Sequence, residues 1–400
     1  MEDLKRGGMN TYAVYFHPLG TLASSLSSDT LFGAVCWGIA ELKLKPALAD
    51  WLRSQQNAPR FAFSSTFPFW QREGQKVHFY PRPINFRASS EDVQAIAQSA
   101  VGNGGAKKAL CDAVALAKKL NKVSWLSEGV LTLLLKGELT PRMVLQSKDS
   151  FPIQGGALVL PAEKCSVKYH ENESEAVFES GLPPTAKKCS VKYHENERWM
   201  ASQPVLHNQI DRVRGSTVEG LLFYQSETSF APGVGLWALL RAEKAEFEQL
   251  IHPALRYLAD TGFGANRTTG KGHFRVEVLE TVPALPVPKS VGRQMLLSRY
   301  LPAPEERKVL HVEDAGAAYR IRTVRAQREH KFPGKAGTAS DAVYKRAVRM
   351  FEPGSILPLS PAEIYGRLAE VVTEEEGGPV FQSGAALTIP LAPFEGRKHG

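Results

Sequence analysis

Residues 262–275, GFGANRTTGKGHFR, combine four glycines with cationic and hydrogen-bonding side chains. Glycine reaches positive φ without strain, so a ligand can approach the backbone amides closely. Amides beside arginine, lysine and histidine suit a phosphodiester better than a neutral small molecule. The pattern predicts a phosphate-binding loop, whose candidate contacts are Gly262, Gly264, Asn266, Arg267, Thr268, Thr269, Gly270, Lys271, Gly272 and His273. A glycine-rich turn with incidental charge remains open as the alternative.

The loop differs from a nucleotide-hydrolysing P-loop. That motif has four residues between its glycines, ends in Gly-Lys-Ser/Thr and leads from a strand into a helix. Here five residues separate Gly264 from Gly270, and Gly272 follows the lysine. Apolar residues before the loop recur at helical spacing, and those after it alternate as in a strand. The order of helix, glycine loop and strand is a poor arrangement for hydrolysing a nucleotide.

Two further segments carry positive charge. Residues 206–215 contain His207, Arg212 and Arg214, which suit phosphate contacts, although a solvated strand edge explains them equally well. Residues 320–349 hold nine lysines and arginines against two acidic residues, and the cations include Arg346 and Arg349. This excess predicts an electrostatic track for a phosphate backbone.

Catalytic motifs of the common hydrolases are missing from the chain. It has no G-x-S-x-G, no H-E-x-x-H and no cluster of carboxylates at metal-ligand spacing. His17 follows a predicted strand and is a candidate general base for a metal-independent ribonuclease, or else a structural histidine. We therefore expect a protein without catalytic residues and without a cofactor.

One ten-residue segment, KCSVKYHENE, occurs identically at 164–173 and 188–197. Two copies are too few for a solenoid, so they indicate a local duplication inside a surface loop. Each copy contains a cysteine and a histidine five positions apart, which leaves a zinc site open. Structural zinc sites usually have other spacings, so we expect no metal here.

The bulk composition is that of a globular chain with a basic balance. Of its 400 residues, 43% are hydrophobic and 22% charged, and 49 Lys and Arg against 41 Asp and Glu give a net charge of +8. This balance permits a polyanionic partner without requiring one. Four scattered cysteines indicate a reducing compartment. No apolar run approaches membrane-spanning length, and no signal peptide is evident. We expect a cytoplasmic protein with no membrane partner.

Periodicity predicts an α+β chain of two domains, at 1–281 and 282–400, with a proline-rich boundary near 282–289. In the first domain we expect strands at 11–16, 61–69 and 77–80, helices at 28–42, 106–120, 127–135 and 141–146, and a strand pair formed by 218–223 and 235–240. In the second we expect strands at 293–300, 318–325, 343–351 and 385–390 and a helix at 361–372. The first domain's order resembles a ferredoxin-like βαββαβ unit with an inserted loop around 160–200.

Several segments in sequence order together resemble one family. They are residues 28–37 (SDTLFGAVCW), 67–69 (FPF), 80–83 (YPRP), 122–126 (KVSWL), 207–212 (HNQIDR), 222–224 (LFY), 262–274, 345–355 (KRAVRMFEPGS) and 379–384 (PVFQSG). This series is similar to the RAMP proteins of type III CRISPR effector complexes, and within them to subunit four of the type III-A (Csm) complex. The equivalent type III-B subunit is similar too, so the subtype stays open.

The resemblance implies two ferredoxin-like (RRM-like) domains with the glycine loop near the cleft between them. It also implies a non-catalytic subunit that holds the repeat-derived 5′ handle of the CRISPR RNA in antiviral defence. Its expected partners are the large polymerase-like subunit and the backbone RAMP subunit. Arg82, within the YPRP segment, joins the expected RNA contacts. The open alternative is an endoribonuclease that processes precursor CRISPR RNA with His17 as its general base.

Overall fold

A computed structural model describes most of the chain: residues 8–23, 26–72, 74–99, 106–147, 150–163, 199–208, 210–211, 213–217, 222–264, 266–310, 317–327, 344–359, 361–372 and 379–392. Both copies of the duplicated segment lie outside these residues, as do Arg212 and residues 328–343. The zinc question and the central part of the basic tract therefore lie outside the described structure.

Nine helices occur in the described residues: α1 Ser28–Glu41, α2 Leu48–Ser54, α3 Ser90–Ser99, α4 Ala106–Lys122, α5 Glu128–Leu135, α6 Pro141–Gln146, α7 Lys244–Glu246, α8 His252–Thr261 and α9 Glu306–Leu310. A π-helical turn, Phe247–Ile251, joins α7 to α8, and 3₁₀ turns lie at Pro161–Glu163 and Arg267–Thr269. Within this part of the chain, no helix is both long and apolar enough to cross a membrane.

The strands of the first part are β1 Met9–Pro18, β2 Phe61–Phe63, β3 Phe67–Arg72, β4 Gln75–Pro81, β5 Trp125–Ser127, β6 Ile153–Gln154, β7 Ala157–Leu158, β8 Met200–His207, β9 Ile210–Asp211, β10 Ser216–Thr217, β11 Phe223–Phe230, β12 Val234–Glu243 and β13 Phe274–Leu279. Those of the second part are β14 Arg293–Leu296, β15 Ile321–Val324, β16 Val348–Phe351, β17 Ile356–Leu357, β18 Leu368–Val372, β19 Val380–Ser383 and β20 Thr388–Leu391.

A mixed sheet of nine strands forms the centre of the molecule. Its order is β13-β1-β12-β3-β4-β5-β7-β6, with β2 paired to β12 beside β3. All neighbours are antiparallel except β5 and β7. Strand β1 is buried throughout its centre because both of its faces are covered. Tyr12 stacks on Phe247 at 3.8 Å on the helical side, and Tyr15 packs edge-on against Phe69 on the other.

Helices α1 and α8 cover one face of this sheet and touch each other closely. A Cβ built on Gly38 would lie 3.1 Å from the Cβ of Ala254, so glycine permits this approach. The apolar residues of the segment before the loop, among them Leu255 and Leu258, are buried as their helical spacing predicts. This packing fixes the end of α8 and therefore the start of the glycine loop.

Strands β8 and β11 form a separate two-stranded hairpin with β9 and β10 beyond its outer end. The prediction that 218–223 pairs with 235–240 is wrong for its described residues. Strand β11 begins at Phe223 and pairs with β8, whereas β12 pairs with β1, β2 and β3. Two adjacent β-prone segments suggest a hairpin, but the more apolar β12 is buried in the central sheet instead.

The second part contains three small antiparallel sheets, β17-β14-β20, β15-β16 and β18-β19. The helix predicted at 361–372 is wrong, because Leu368–Val372 is strand β18. Its Leu368, Val371 and Val372 are buried, and β19 supplies its backbone partners. In the described residues beyond 282 the helical segment is the five-residue α9, so a second ferredoxin-like unit remains a prediction.

Candidate nucleic-acid interface

The glycine loop begins where α8 ends and is closed by its own backbone. Gly262, Gly264, Gly270 and Gly272 all have positive φ, as the abundance of glycine suggested. The amide of Phe263 donates to the Gly272 carbonyl at 2.8 Å, and a Cβ on Gly272 would lie 1.9 Å from the Phe263 carbonyl oxygen. This closure requires glycine at 272 for conformation and for space.

Inside the loop, Asn266 takes a left-handed conformation before the 3₁₀ turn. Its carbonyl accepts hydrogen bonds from the amides of Thr269 and Lys271, and its side chain donates to Gln225 of β11 at 2.6 Å. His273 Nε2 donates to the Arg267 carbonyl at 3.3 Å. The side chain of Thr268 is outside the described part. Asn266 and His273 therefore shape the loop.

The amides from Thr269 to Gly272 donate to carbonyls of the chain itself, including that of Thr21 for Gly272. These four amides are therefore used within the chain, and the contact of the loop with a ligand stays a prediction. A short glycine-rich loop needs these hydrogen bonds to hold its own shape. Thr269 and Gly270 are the exposed residues of this turn, and Arg267 before them is partly buried.

Lys271 points back to a buried carboxylate. Its Nζ lies 2.8 Å from Oε2 of Glu227, a β11 residue that is only 4% exposed, and Thr21 donates to the same oxygen at 2.7 Å. Burial alone raises the pKa of Glu227, but the hydrogen bonds from Lys271 and Thr21 outweigh it and lower that pKa overall. His207 Nε2 is 3.7 Å from the other oxygen, Oε1. Lys271 and His207 thus meet at one buried acid.

The β8–β11 hairpin presents aromatic side chains close to this acid. His207 stacks on Phe223 with ring centroids 5.3 Å apart, and Phe223 and Tyr224 are 54% and 70% exposed. Proteins that bind single-stranded nucleic acids stack the bases on exposed aromatic rings that lie beside cationic side chains. Neither ring is among the contacts predicted from the sequence, although three successive large apolar residues at 222–224, next to the polar residues 225–229, were a signal for them.

The remaining predicted contacts lie in different surroundings. The Arg82 guanidinium donates to the backbone carbonyls of Val123, Phe86 and Asn121, and its burial lowers the pKa to about 10. Arg82 therefore ties the end of β4 to the segment after α4. Arg214 is exposed in the turn between β9 and β10, and Arg346 and Arg349 are exposed around the start of β16.

The first two arginines of the basic tract, Arg320 and Arg322, contact the same carboxylate. Arg320 and Arg322 lie 3.5 and 3.6 Å from the carboxylate of Glu352, so a local acid offsets part of their charge. Lys345, counted in the same tract, is only partly exposed, and burial lowers its pKa. Its Nζ donates to Oε1 of Gln382 at 3.3 Å.

A cavity of about 390 Å³ lies between α1, the glycine loop and the C-terminal strand β19. Arg267 and Lys345 both line it. Asp29 is buried at its edge, where Arg299 Nη1 lies 3.0 Å from both of its carboxylate oxygens and Gln382 donates to Oδ2. The glycine loop thus faces a cleft between the first and second parts of the chain.

His17 lies on the face of the central sheet opposite α1 and α8. Its Nε2 is 2.9 Å from Glu277 Oε2, and Lys76 donates to both oxygens of Glu277 at 2.9 Å. Burial alone raises the pKa of Glu277, but the hydrogen bonds from Lys76 and His17 outweigh it and lower that pKa. Across the described residues, no group of three or more potential metal ligands was found.

The chain is similar in sequence and in fold to proteins of one kind. No family model matches the chain. The CRISPR system protein Csm4 of Thermococcus onnurineus is 35% identical over 71 residues, which are 18% of this chain and 24% of that relative. The matched segment thus spans about a quarter of the relative's length.

Similarity to solved structures extends over nearly the whole chain. It covers 96% of this chain and 100% of the matched one in a Csm3–Csm4 subcomplex of the type III-A CRISPR-Cas interference complex, with a TM-score of 0.56 and 14% identity. In a Csm1–Csm4 cassette in complex with pppApA it covers 97% and 100%, with a TM-score of 0.52 and 16% identity. These comparisons confirm the resemblance to the Csm4 RAMP proteins: the sequence match carries it in one segment and the fold over the full length.

Proposed function

We propose that this chain is a non-catalytic, RNA-binding subunit of a type III-A CRISPR effector complex that anchors the repeat-derived 5′ handle of the CRISPR RNA. The observation that carries the proposal is that the glycine loop contacts the β8–β11 hairpin, which bears the exposed rings of Phe223 and Tyr224. Gln225 and Glu227 of β11 hold Asn266 and Lys271 of the loop, so cationic and stacking groups stand side by side. Single-stranded RNA is bound by this combination of groups.

The fold supports an RRM-like first domain. In sequence the central elements run β1, α1, β2, β12, α8 and β13, and in the sheet β13 and β12 flank β1. This order, with the last strand beside the first, supports the proposal of a ferredoxin-like unit with insertions. We propose that residues 282–400 form a second, degenerate ferredoxin-like domain.

The proposed partners follow from the relatives. Similar chains occur with Csm1 in one solved assembly and with Csm3 in another. We propose that this chain likewise bridges the large polymerase-like subunit and the backbone RAMP subunit. Co-expression with both partners tests this: we expect one ribonucleoprotein that contains all three chains, and recovery of this chain alone and free of RNA would contradict it.

RNA binding is tested by the salt dependence of affinity for a handle RNA. We expect Arg267→Ala to weaken binding and to reduce the slope of log K against log salt by about 0.7, the value for one lost phosphate contact on a single strand. Arg256→Ala removes the same charge from the exposed side of α8 and serves as the control. Equal effects of the two variants would show that Arg267 acts only through the net charge of the protein and does not contact a phosphate.

The pairing of His17 with Glu277 favours a second candidate, a metal-independent endoribonuclease. A carboxylate that holds a histidine ring is a common support for a general base. Incubation of the protein with labelled repeat RNA in EDTA separates the candidates. We expect intact RNA; cleavage that His17→Ala abolishes would establish the enzyme instead.

A further inference from the structure

The cavity between α1, the glycine loop and β19 has the size and lining of a small-ligand pocket. Its volume of about 390 Å³ lies within the range of about 300–1,000 Å³ usual for such sites. Its walls are mainly apolar and include Phe32, Trp37, Phe263 and Phe381. Flat heterocycles are buried against walls of this kind.

Polar groups meet at one part of the lining. Arg299 pairs with both oxygens of Asp29, so the charge of that carboxylate is already compensated. Gln382 donates to Asp29 and accepts from Lys345, which fixes the orientation of its amide. An ammonium group carries three hydrogens, and Gln382 takes one of them.

The environment of Lys345 disfavours its charge. Burial lowers its pKa, and the opposing influences of Asp29 and Cys36 do not cancel that effect. A ligand that brings hydrogen-bond acceptors into the cavity would compensate this ammonium. A purely apolar ligand would leave it poorly solvated.

Resting on the proposed function, we propose that this cavity receives one unstacked nucleobase of the bound RNA, with acceptor atoms of the base facing Lys345. Arg267 belongs both to the cavity lining and to the glycine loop, so a nucleotide held there has its phosphate at the loop and its base directed inward. Bound in this way, one base of the RNA is withdrawn from solvent and marks the register of the strand.

Gly33 of α1 offers a way to fill the cavity. It lines the space, and a Cβ built there meets no atom within 4 Å. Gly33→Phe places a ring in the cavity, and Gly33→Ala makes the same change of helix backbone with one methyl group. Thermal unfolding and circular dichroism show whether both variants keep the fold.

The experiment measures affinity for handle RNAs that each lack one base. We expect one abasic position to weaken binding by wild type and Gly33→Ala about tenfold, the scale of one lost base contact. For Gly33→Phe, the intact RNA and that abasic RNA should bind equally. If no position distinguishes the variants while RNA still binds, the pocket is wrong and the proposed function stands; absence of any RNA binding overturns both.

Lys345→Met supplies a second variant that does not depend on filling the cavity. It removes the ammonium and keeps an apolar side chain of similar length. We expect it to weaken binding of intact RNA and to leave binding of the abasic RNA unchanged. Equal weakening of both RNAs would assign Lys345 to the phosphate backbone and overturn its contact with the base.

Discussion

Lys271 in the glycine loop and Glu227 in the β8–β11 hairpin form an ion pair, in which Nζ of Lys271 lies 2.8 Å from Oε2 of Glu227 and the glutamate is only 4% exposed. Glu227 lies in the two-stranded β8–β11 hairpin and Lys271 in the loop before β13 of the central sheet, so this pair joins the loop to the hairpin. Thr21, which follows the first strand, donates to the same carboxylate. Lys271 therefore stabilises the loop through its ion pair with Glu227. Any contact that its side chain makes with RNA is in addition to this pair.

Removal of the carboxylate tests this coupling. We expect Glu227→Gln to lower the free energy of unfolding by about 1–3 kcal/mol, because Lys271 and Thr21 lose a buried charged acceptor. Combining it with Lys271→Met should restore part of the loss, since neither charge then remains. Urea denaturation measures both, and Lys244→Met, which removes a cation from an exposed pair with Glu248, is the control. Strictly additive losses would contradict the coupling.

Acid should weaken the same pair. The pKa of Glu227 is lower in the folded chain than its ordinary value of 4.5, so its contribution is complete above that value. The contribution is lost as the pH falls through the folded pKa, where the folded carboxylate takes up its proton. We expect the difference in unfolding free energy between wild type and Glu227→Gln to shrink as the pH falls below 4.5. A difference that stays constant as the pH falls below 4.5 would show that the charge of Glu227 does not contribute to stability.

Two glycines of the loop separate conformational strain from steric exclusion. Both have positive φ, but a Cβ on Gly272 would lie 1.9 Å from the Phe263 carbonyl oxygen, whereas one on Gly270 meets nothing within 4 Å. We expect Gly270→Ala to cost about 1–2 kcal/mol, the penalty of a left-handed residue. Gly272→Ala should cost clearly more, because the hydrogen bond between Phe263 and Gly272 must break. Similar denaturation midpoints for the two variants would contradict the closure of the loop.

The sequence predicted the order of the first domain well because its signals are local. Apolar residues at helical spacing indicated α8, and alternating apolar residues indicated β13. The glycines between them indicated the loop. The direction of Lys271 was not predictable, because its partner Glu227 lies 44 residues away in a hairpin of unknown pairing. The sequence of strand β18 also fits a helix, because a short apolar segment matches either periodicity until its sheet partner is known.

The exposed rings of the hairpin give the most direct test of RNA contact. Tyr224 is 70% exposed, so Tyr224→Ala should leave the unfolding free energy within about 0.5 kcal/mol of wild type. If a base stacks on this ring, the same change should weaken handle-RNA binding by about 1–3 kcal/mol. Tyr319→Ala removes a similarly exposed ring from the segment before β15 and is the matched control. Fluorescence anisotropy with labelled RNA measures both variants. A loss shared equally by Tyr319→Ala would mean that the hairpin has no special role, and an unchanged affinity for Tyr224→Ala would remove its ring from the interface.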